Sequence, residues 1–511
     1  MRKYLVFQGF RPSLLRVSQN KTTIRGRCPL TLPILVNILM KKSLSYIAAI
    51  AALSVLPFKA SAQQLQSAYF MDAYVYGHQL NPAHDFNSKA YVSIPVLGNL
   101  NMGVNGNLGV DNLLYPRNGQ LVTYLHPSIS VEEALGNFHS NNKIQMDFTT
   151  SIFSFGIHKW KGFNTLEVNL RMNGGFNAPY DMFELTKDLQ NRNYNLSAFG
   201  ANAQAYAEVA LGHSREVYKG IRAGAKLKFL LGAGRVDAQF SELRLDLQDE
   251  SRWVAVANAT VNAHVKGLKW GEMKVEEYEN GGTYETIDFD NVDFEGSKGI
   301  AGVGMALDLG AEADFGKLDL VPNLKAGIAI RDLGFLKWKE GISARNAGQP
   351  FVFEGFQDIK IQDGPGTDIE DQTDDLADRF TDLYRLEDAG VAGGRSTGLG
   401  TTLALSAEYA LPMYDKLTFG FTSTSRIQKN YGWNEERLYV TVKPLRKIEA
   451  SVNAGIGTFG PSWGWAVNLG YFFLGMDHML GKLTKQGVPV RSNADFRVGF
   501  VIPFGGVPKK R

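Results

Sequence analysis

Along much of this chain apolar side chains recur at every second position, the spacing of a β-strand with two unlike faces. In "NADFRVGFVIPFG", Phe496, Val498, Phe500, Ile502 and Phe504 share one face, while Asp495, Arg497 and Gly499 share the other. Leu403, Leu405, Ala407, Tyr409 and Leu411 alternate with Ala404, Ser406, Glu408 and Ala410. Leu417, Phe419 and Phe421 alternate with Thr418, Gly420 and Thr422, and Leu438, Val440 and Val442 with Arg437, Tyr439, Thr441 and Lys443. Ile448, Ala450, Val452, Ala454 and Ile456 oppose Glu449, Ser451, Asn453 and Gly455. The pattern is present earlier too. Ile221, Ala223, Ala225, Leu227 and Phe229 oppose Arg222, Gly224, Lys226 and Lys228, and Val303, Met305, Leu307 and Leu309 oppose Gly304, Ala306, Asp308 and Gly310.

Segments of about ten residues, apolar on one face and small, polar or charged on the other, predict an all-β fold, a transmembrane antiparallel barrel with lipid outside and a polar lumen. Strands of a soluble sandwich run shorter, about 5 to 6 residues. Between Lys89 and Phe504 there are about sixteen or seventeen such segments, which predicts a barrel of about 14 to 18 strands. Tight turns at Pro412 to Lys416 and Pro444 to Lys447 are expected on the periplasmic side, where barrel connections are short. Outer loops then fall at Ile427 to Glu435 and Thr458 to Ser462. Parity requires a turn near Leu469 to Tyr471, splitting "WGWAVNLGYFFLGMDHM", and places 111–142, 173–197, 266–299 and 331–398 outside. Three outer segments read as helices: "SVEEALGNF", with Ser130 and Glu133 as a capping box; "PYDMFELTKDL", with Pro179 at its start; and "DDLADRFTDLYRL", with Leu376, Phe380, Leu383 and Tyr384 at helical spacing.

The N-terminal 87 residues lack this alternation and divide further. "MKKSLSYIAAIAALSVLPFKASAQQ" from Met40 has Lys41 and Lys42, an apolar run to Phe58 and small residues at Ala60 and Ala62, the layout of a signal peptide cleaved after Ala62. The run is shorter than the roughly 20 residues a membrane-spanning helix needs. Residues 1–39, basic and without acidic residues, read as an upstream start extension. Residues 63–87 are expected to cross the membrane level once more, as an extra strand or as a plug in the lumen. The barrel is assigned to 88–505 and a short tail to 506–511.

Processing changes the charge. Of 54 Lys and Arg, ten precede Gln63, so 44 remain against 51 Asp and Glu, a net charge of about −7. An acidic exported chain without a basic face argues against nucleic acid as a partner. The single cysteine, Cys28, is also removed, which excludes a disulfide scaffold, a thiol enzyme or a Cys-ligated metal.

Candidate chemistry is sparse, and no cofactor is expected. "GPSWG" at 460–464 fits G-x-S-x-G, but that motif needs Ser462 on a strand-to-helix elbow, whereas a strand follows. The acidic run "DGPGTDIEDQTDD", holding Asp363, Asp368, Glu370, Asp371, Asp374 and Asp375, lacks the spacing of an EF-hand and reads as a solvated loop. The eight His residues show no metal-binding spacing. Alternation assigns Glu208, Arg222, Lys226, Asp308, Lys325, Arg331, Glu408, Arg437, Glu449, Asp495 and Arg497 to the lumen, where some must pair across strands.

At "LNPAHDFNSKAYVSIPVLGNLNMGVNGNLG", Asn81, Pro82 and Ala83 before a first amphipathic hairpin resemble the opening of long-chain fatty-acid transporter-like barrels. Over about residues 65–505 the chain also resembles an uncharacterised family of outer-membrane barrels of Bacteroidetes-type bacteria. That likeness is carried by "AEYALPMYDKLTFG", "YGWNEERL", Trp463-Gly464-Trp465 and "GMDHMLGKLTKQGVPV". The resemblance implies an outer-membrane location. It leads to the expectation of a non-enzymatic barrel that passes or binds small amphipathic or hydrophobic molecules. Its other partners would be outer-membrane lipid and, during insertion, the barrel-assembly machinery. The alternatives are a barrel that anchors or shuttles exported proteins and, less favoured, an outer-membrane hydrolase.

Overall fold

The computed structural model describes residues 65–505 except 250–251, 279–280, 297–298, 347, 349, 355–377, 380, 384, 430 and 479–492. The signal-peptide stretch, the upstream extension, the C-terminal tail, the acidic run at 363–375 and, of the helix expected at 374–386, residues 374–377, 380 and 384 lie outside those residues.

Fourteen antiparallel strands close into a barrel. They are β1 (Ala90–Ser93 and Leu100–Gly106), β2 (Asn141–Lys159), β3 (Gly162–Pro179), β4 (Gly200–Tyr218), β5 (Ile221–Asp249), β6 (Gly302–Asp314) and β7 (Leu324–Trp338). There follow β8 (Arg395–Gly398 and Thr401–Leu411), β9 (Tyr414–Ile427), β10 (Trp433–Leu445), β11 (Ile448–Gly457), β12 (Gly460–Leu469), β13 (Phe472–Met476) and β14 (Ala494–Phe504). Each pairs with its neighbours in sequence, and β14 closes on β1 through Val92↔Ile502 and Met102↔Phe496. The turn required near Leu469 to Tyr471 is present, with Gly470 at φ 88°, a conformation open to glycine.

The strand number falls at the low end of the expected range, and one alternating segment that lies in none of the expected loops builds a sheet outside the wall. The outer half of β5 continues past the barrel and pairs with Arg252–Val265, which pairs in turn with Gly341–Asn346 and Phe351–Phe353. Conversely, β3 and β7 extend through residues expected in loops, to Pro179 and Trp338. Two expected helices form over the first outer loops: Val131–Leu135, where Ser130 Oγ accepts the Glu133 N–H, and Tyr180–Lys187 after Pro179. They pack together through Phe138 and Phe183, stacked at 3.9 Å.

Outside, Leu227, Phe229, Met305, Ile328, Leu405, Phe421, Leu438, Val452 and Ile502 stand exposed around the circumference. An apolar belt on a closed antiparallel sheet belongs in lipid, since closure gives each wall strand a partner on both sides and leaves no free edge. The protein is an outer-membrane-type β-barrel, and its short turns mark the periplasmic end.

The wall is irregular at one place. Halfway along β1, residues 94–99 leave the ladder with Val96 at φ 65°, and Ile94, Val96 and Leu97 are exposed on the outer face. Their backbone remains satisfied by neighbouring strands: Ile94 N donates to Phe500 O, Val96 N to Ser151 O, and Leu97 O accepts from Phe500 N.

Candidate functional site

Residues 65–88 run inside the barrel from its outer end to its periplasmic end. Their apolar side chains Leu65, Phe70, Met71, Tyr74, Val75, Tyr76, Leu80 and Phe86 form one buried cluster with wall residues Tyr91, Phe163, Tyr439 and Phe473. Tyr74 meets Phe473 and Phe70 meets Tyr439 edge-on, each at 5.1 Å between ring centres. An aromatic-rich segment fits a polar lumen because the wall withholds side chains where it lies. A Cβ on Gly420 would come within 2.2 Å of the Phe70 ring, and one on Gly475 within 2.9 Å of Leu65.

Asn81, Pro82 and Ala83 rest on such a floor. The Asn81 side chain accepts the Ala83 N–H (3.0 Å) and donates to Ala311 O (3.3 Å). A Cβ on Gly224 would lie 2.1 Å from Pro82 O, and one on Gly310 2.1 Å from Asn81 Oδ1. The glycines of β5 and β6 therefore form a seat matched to these three residues.

Charged groups fix the plug laterally. Lys226 Nζ donates to Glu167 (2.6 Å) and to His78 Nδ1 (3.0 Å). An ammonium can only donate, so His78 Nδ1 accepts, and its Nε2–H is left to donate to Tyr91 Oη at 2.9 Å. Gln79 bridges Glu167 (2.7 Å) and Asn99 (3.2 Å), tying the plug to the irregular stretch of β1. Glu449 accepts Ala73 N (3.0 Å), Lys443 joins Asp72 (3.1 Å) to Glu408 (2.9 Å), and Asp85 lies between His158 (2.9 Å) and Arg222 (3.2 Å).

Of the charged residues assigned to the lumen by alternation, Glu208, Lys226, Asp308, Arg331, Arg437, Glu449, Asp495 and Arg497 are buried, and Arg222 and Glu408 half-buried. Arg222 reaches Ala83 O (3.1 Å), Arg331 Gln79 O (3.4 Å), and Arg497 Tyr74 Oη (3.4 Å). Lys325 sits at the periplasmic rim, more exposed than the rest, 3.6 Å from Glu408. Glu167, Arg171, Asp332 and Arg426 also face inward and are absent from the set assigned by alternation, whereas Lys228 shares the polar face of Arg222 and Lys226. Glu167 and Arg171 alternate with Leu166, Val168 and Leu170, a signal that was available. Asp332 had none: a bulge sets Arg331 and Asp332, the latter at φ 54°, both inward opposite Asp308, whose carboxylate accepts Asp332 N at 2.7 Å.

Above the plug lies a cavity of about 620 Å³, counting its opening to solvent. Arg171 (β3), Arg331 (β7), Arg426 (β9) and Arg497 (β14) converge on it, with Asp147 and Asp332; Gln79 forms part of the floor and Asn101, Thr149, Asn169 and Thr402 the walls. Arg171 pairs with Glu208 and Asp332, each at 3.2 Å, and Lys228 pairs with Asp308 (2.7 Å) and Asp332 (2.6 Å). Guanidinium groups are always charged and present planar donor forks suited to carboxylate, sulfate or phosphate.

A second cavity opens nearer the outer end, beside Gln66, Trp433, Glu435, Asp477, His478 and Asp495. His478, beyond the end of β13, faces Asp495 through Nδ1 (2.7 Å) and Glu435 through Nε2 (3.3 Å). Burial alone would lower its pKa, but the two carboxylates outweigh it and push the imidazole up to about 9. Ser462 lies within β12, its hydroxyl donating to Glu435 at 2.7 Å, away from any strand-to-helix elbow.

Residues 82–477 match a family of unknown function, DUF5723. The chain belongs to this family. No curated protein matches the sequence. Among solved structures, this DUF5723 member is similar to the Pseudomonas putida toluene transporter TodX, at 8% identity over 87% of this chain and 94% of that one, with a TM-score of 0.36. It is also similar to a Pseudomonas aeruginosa FadL homologue, at 9% identity over 87% and 98%, with a TM-score of 0.36. A TodX deltaS2S3 mutant monoaromatic hydrocarbon channel gives 9% identity over 83% and 93%, with a TM-score of 0.39.

Proposed function

We propose that this outer-membrane barrel binds and passes small amphipathic molecules that carry an anionic head. The observation that supports it is the convergence of Arg171, Arg331, Arg426 and Arg497, from four separate strands, on one cavity directly above the plug. Its lining is polar, so a bare hydrocarbon would gain little there, whereas an anionic head would exchange hydration for charge-assisted hydrogen bonds. The irregular stretch of β1 adds an apolar neighbour: Asn99 contacts Gln79 of the cavity floor, and Ile94, Val96 and Leu97 face lipid on the other side of the same segment.

A second reading, a barrel that anchors or shuttles exported proteins, draws on the filled lumen and on the sheet built outside the wall by β5 and Arg252–Val265. Swelling of zwitterionic liposomes separates the two. The transport reading expects swelling with small anionic amphiphiles, faster once the plug seat is disrupted. The anchoring reading expects none in either protein.

A further inference from the structure

At the outer mouth one set of contacts crosses the barrel. Tyr431 and Gly432 stand directly before Trp433, the first residue of β10, and reach the opposite wall. β3 lies seven strands from β10 counted either way around the fourteen, as far as the barrel allows. There the Tyr431 ring rests on Gly175 of β3, where a Cβ would come within 2.3 Å of ring carbon Cε1. The hydroxyl donates to Asn177 Oδ1 (3.2 Å) and accepts from Asn202 Nδ2 of β4 (3.1 Å). From β2, Lys143 Nζ donates to Gly432 O at 3.0 Å. Tyr431 is thereby 5% exposed although it lies outside the ladder of the wall.

These contacts sit just outside the arginine-lined cavity. Along β3, Arg171 and Asn173 line the cavity, and the next two inward positions, Gly175 and Asn177, hold Tyr431. On β4, Tyr206 opposite Arg171 lines the cavity, while Asn202 opposite Gly175 holds the hydroxyl. On β2, Asp147 and Thr149 line it and Lys143 stands farther out on the same face. On the facing wall Arg426 lines it, five residues before Tyr431. A ring packed on a glycine, with its hydroxyl paired on both sides, has two settings, seated or withdrawn, because an intermediate position leaves a buried hydroxyl without partners.

We infer that Tyr431 is a bolt across the outer mouth, and that an amphiphile reaches the arginine-lined cavity from outside only when the ring leaves Gly175. With the plug as floor and the bolt above, the cavity is a compartment bounded toward both ends of the barrel. The inference rests on the reading that this cavity receives a solute.

The test uses the full chain in nanodiscs with Thr149→Cys in the cavity wall and Cys28→Ser. It follows labelling by fluorescein-5-maleimide, a water-soluble reagent of amphiphile-like bulk. The thiol should label slowly beside the heat-unfolded chain. Tyr431→Phe keeps the ring and removes both hydroxyl bonds, and should speed labelling at least about fivefold. Gly175→Ala, on the opposite wall, should also speed it by displacing the ring, and should add nothing to Tyr431→Ala, because it acts only through that ring. Heat-dependent migration in SDS shows that each barrel is closed. A folded parent that labels as fast as the unfolded chain overturns the bolt, as do Tyr431→Phe and Tyr431→Ala barrels that stay slow, or a Gly175→Ala effect that persists beside Tyr431→Ala. Should Gly175→Ala fail to fold, the Tyr431 variants decide alone. The readout is access, whichever head the cavity prefers, so a failed bolt leaves a head preference intact and a cavity without preference leaves the bolt intact.

Discussion

Gly310→Leu tests whether the plug is held by the shape of its seat. A Cβ at this position would lie 2.1 Å from Asn81 Oδ1, 2.9 Å from Pro82 Cδ and 3.0 Å from Ala83 N. The nearest is a side-chain oxygen, but it holds the Ala83 N–H and the other two atoms belong to a proline ring and a backbone amide, so turning the Asn81 side chain alone does not clear the space. Leucine adds three further carbons, and overpacking of this kind costs about 1 to 3 kcal/mol. The wall is hydrogen-bonded on both sides of Gly310, to Gly224 and Ala329, while the plug is one strand of chain, so the plug is expected to yield. A population shift of that size is roughly 5- to 150-fold. It can be read with Ser88→Cys, a near-isosteric change at a buried plug residue, made together with Cys28→Ser so that the chain has no other cysteine. A water-soluble maleimide should label the thiol at position 88 slowly in the parent and roughly 5- to 150-fold faster with Gly310→Leu. Leu309→Phe, on the lipid face one residue away, should leave the rate unchanged. Parent-like labelling in a folded Gly310→Leu barrel would refute the glycine seat.

Further outcomes follow from the wall and the outer cavity. Phe421→Arg, near mid-membrane on the lipid face, should cost roughly 2 to 4 kcal/mol in a denaturant titration of the reconstituted barrel. A cysteine at 421 should react with a lipid-soluble maleimide, while one at 422 should resist both kinds of reagent, because Thr422 is fully buried, its hydroxyl 3.0 Å from Tyr439 Oη. The His478 ion pairs should be complete below the ordinary imidazole pKa of about 6.5 and lost as pH rises through about 9. Proteolysis beyond residue 478 should therefore accelerate above pH 9 in the parent, and His478→Gln should remove that dependence. As a closed sheet, the protein should migrate anomalously in SDS until boiled, and a single position with and without heating would contradict closure.

Much of the wall is legible in the sequence, because each of its strands divides lipid from lumen and so must alternate. The turn at Gly470 could be placed by parity alone. Alternation reports that a strand has two faces, not which sheet it joins, and so Arg252–Val265, which lies in none of the assigned loops, reads as a wall strand although it pairs beyond the wall. The plug shows no period, since it is surrounded on all sides. Its seat is nevertheless written on the inner faces of β5 and β6, where Gly224 and Gly310 hold places that a solvated lumen would give to polar side chains. The bulge at Arg331 and Asp332 breaks phase, which hides Asp332 from any period-2 reading.

The central claim is that the arginine-lined cavity receives an anionic head. Native mass spectrometry of the barrel in nanodiscs tests it with single-chain amphiphiles of equal length bearing carboxylate, sulfate, trimethylammonium or uncharged heads. The account expects carboxylate and sulfate forms to bind, the others to bind far less, and the doubly substituted Arg331→Gln, Arg497→Gln barrel to lose the preference. Equal binding of all four heads, or an undiminished preference in the double variant, would contradict it.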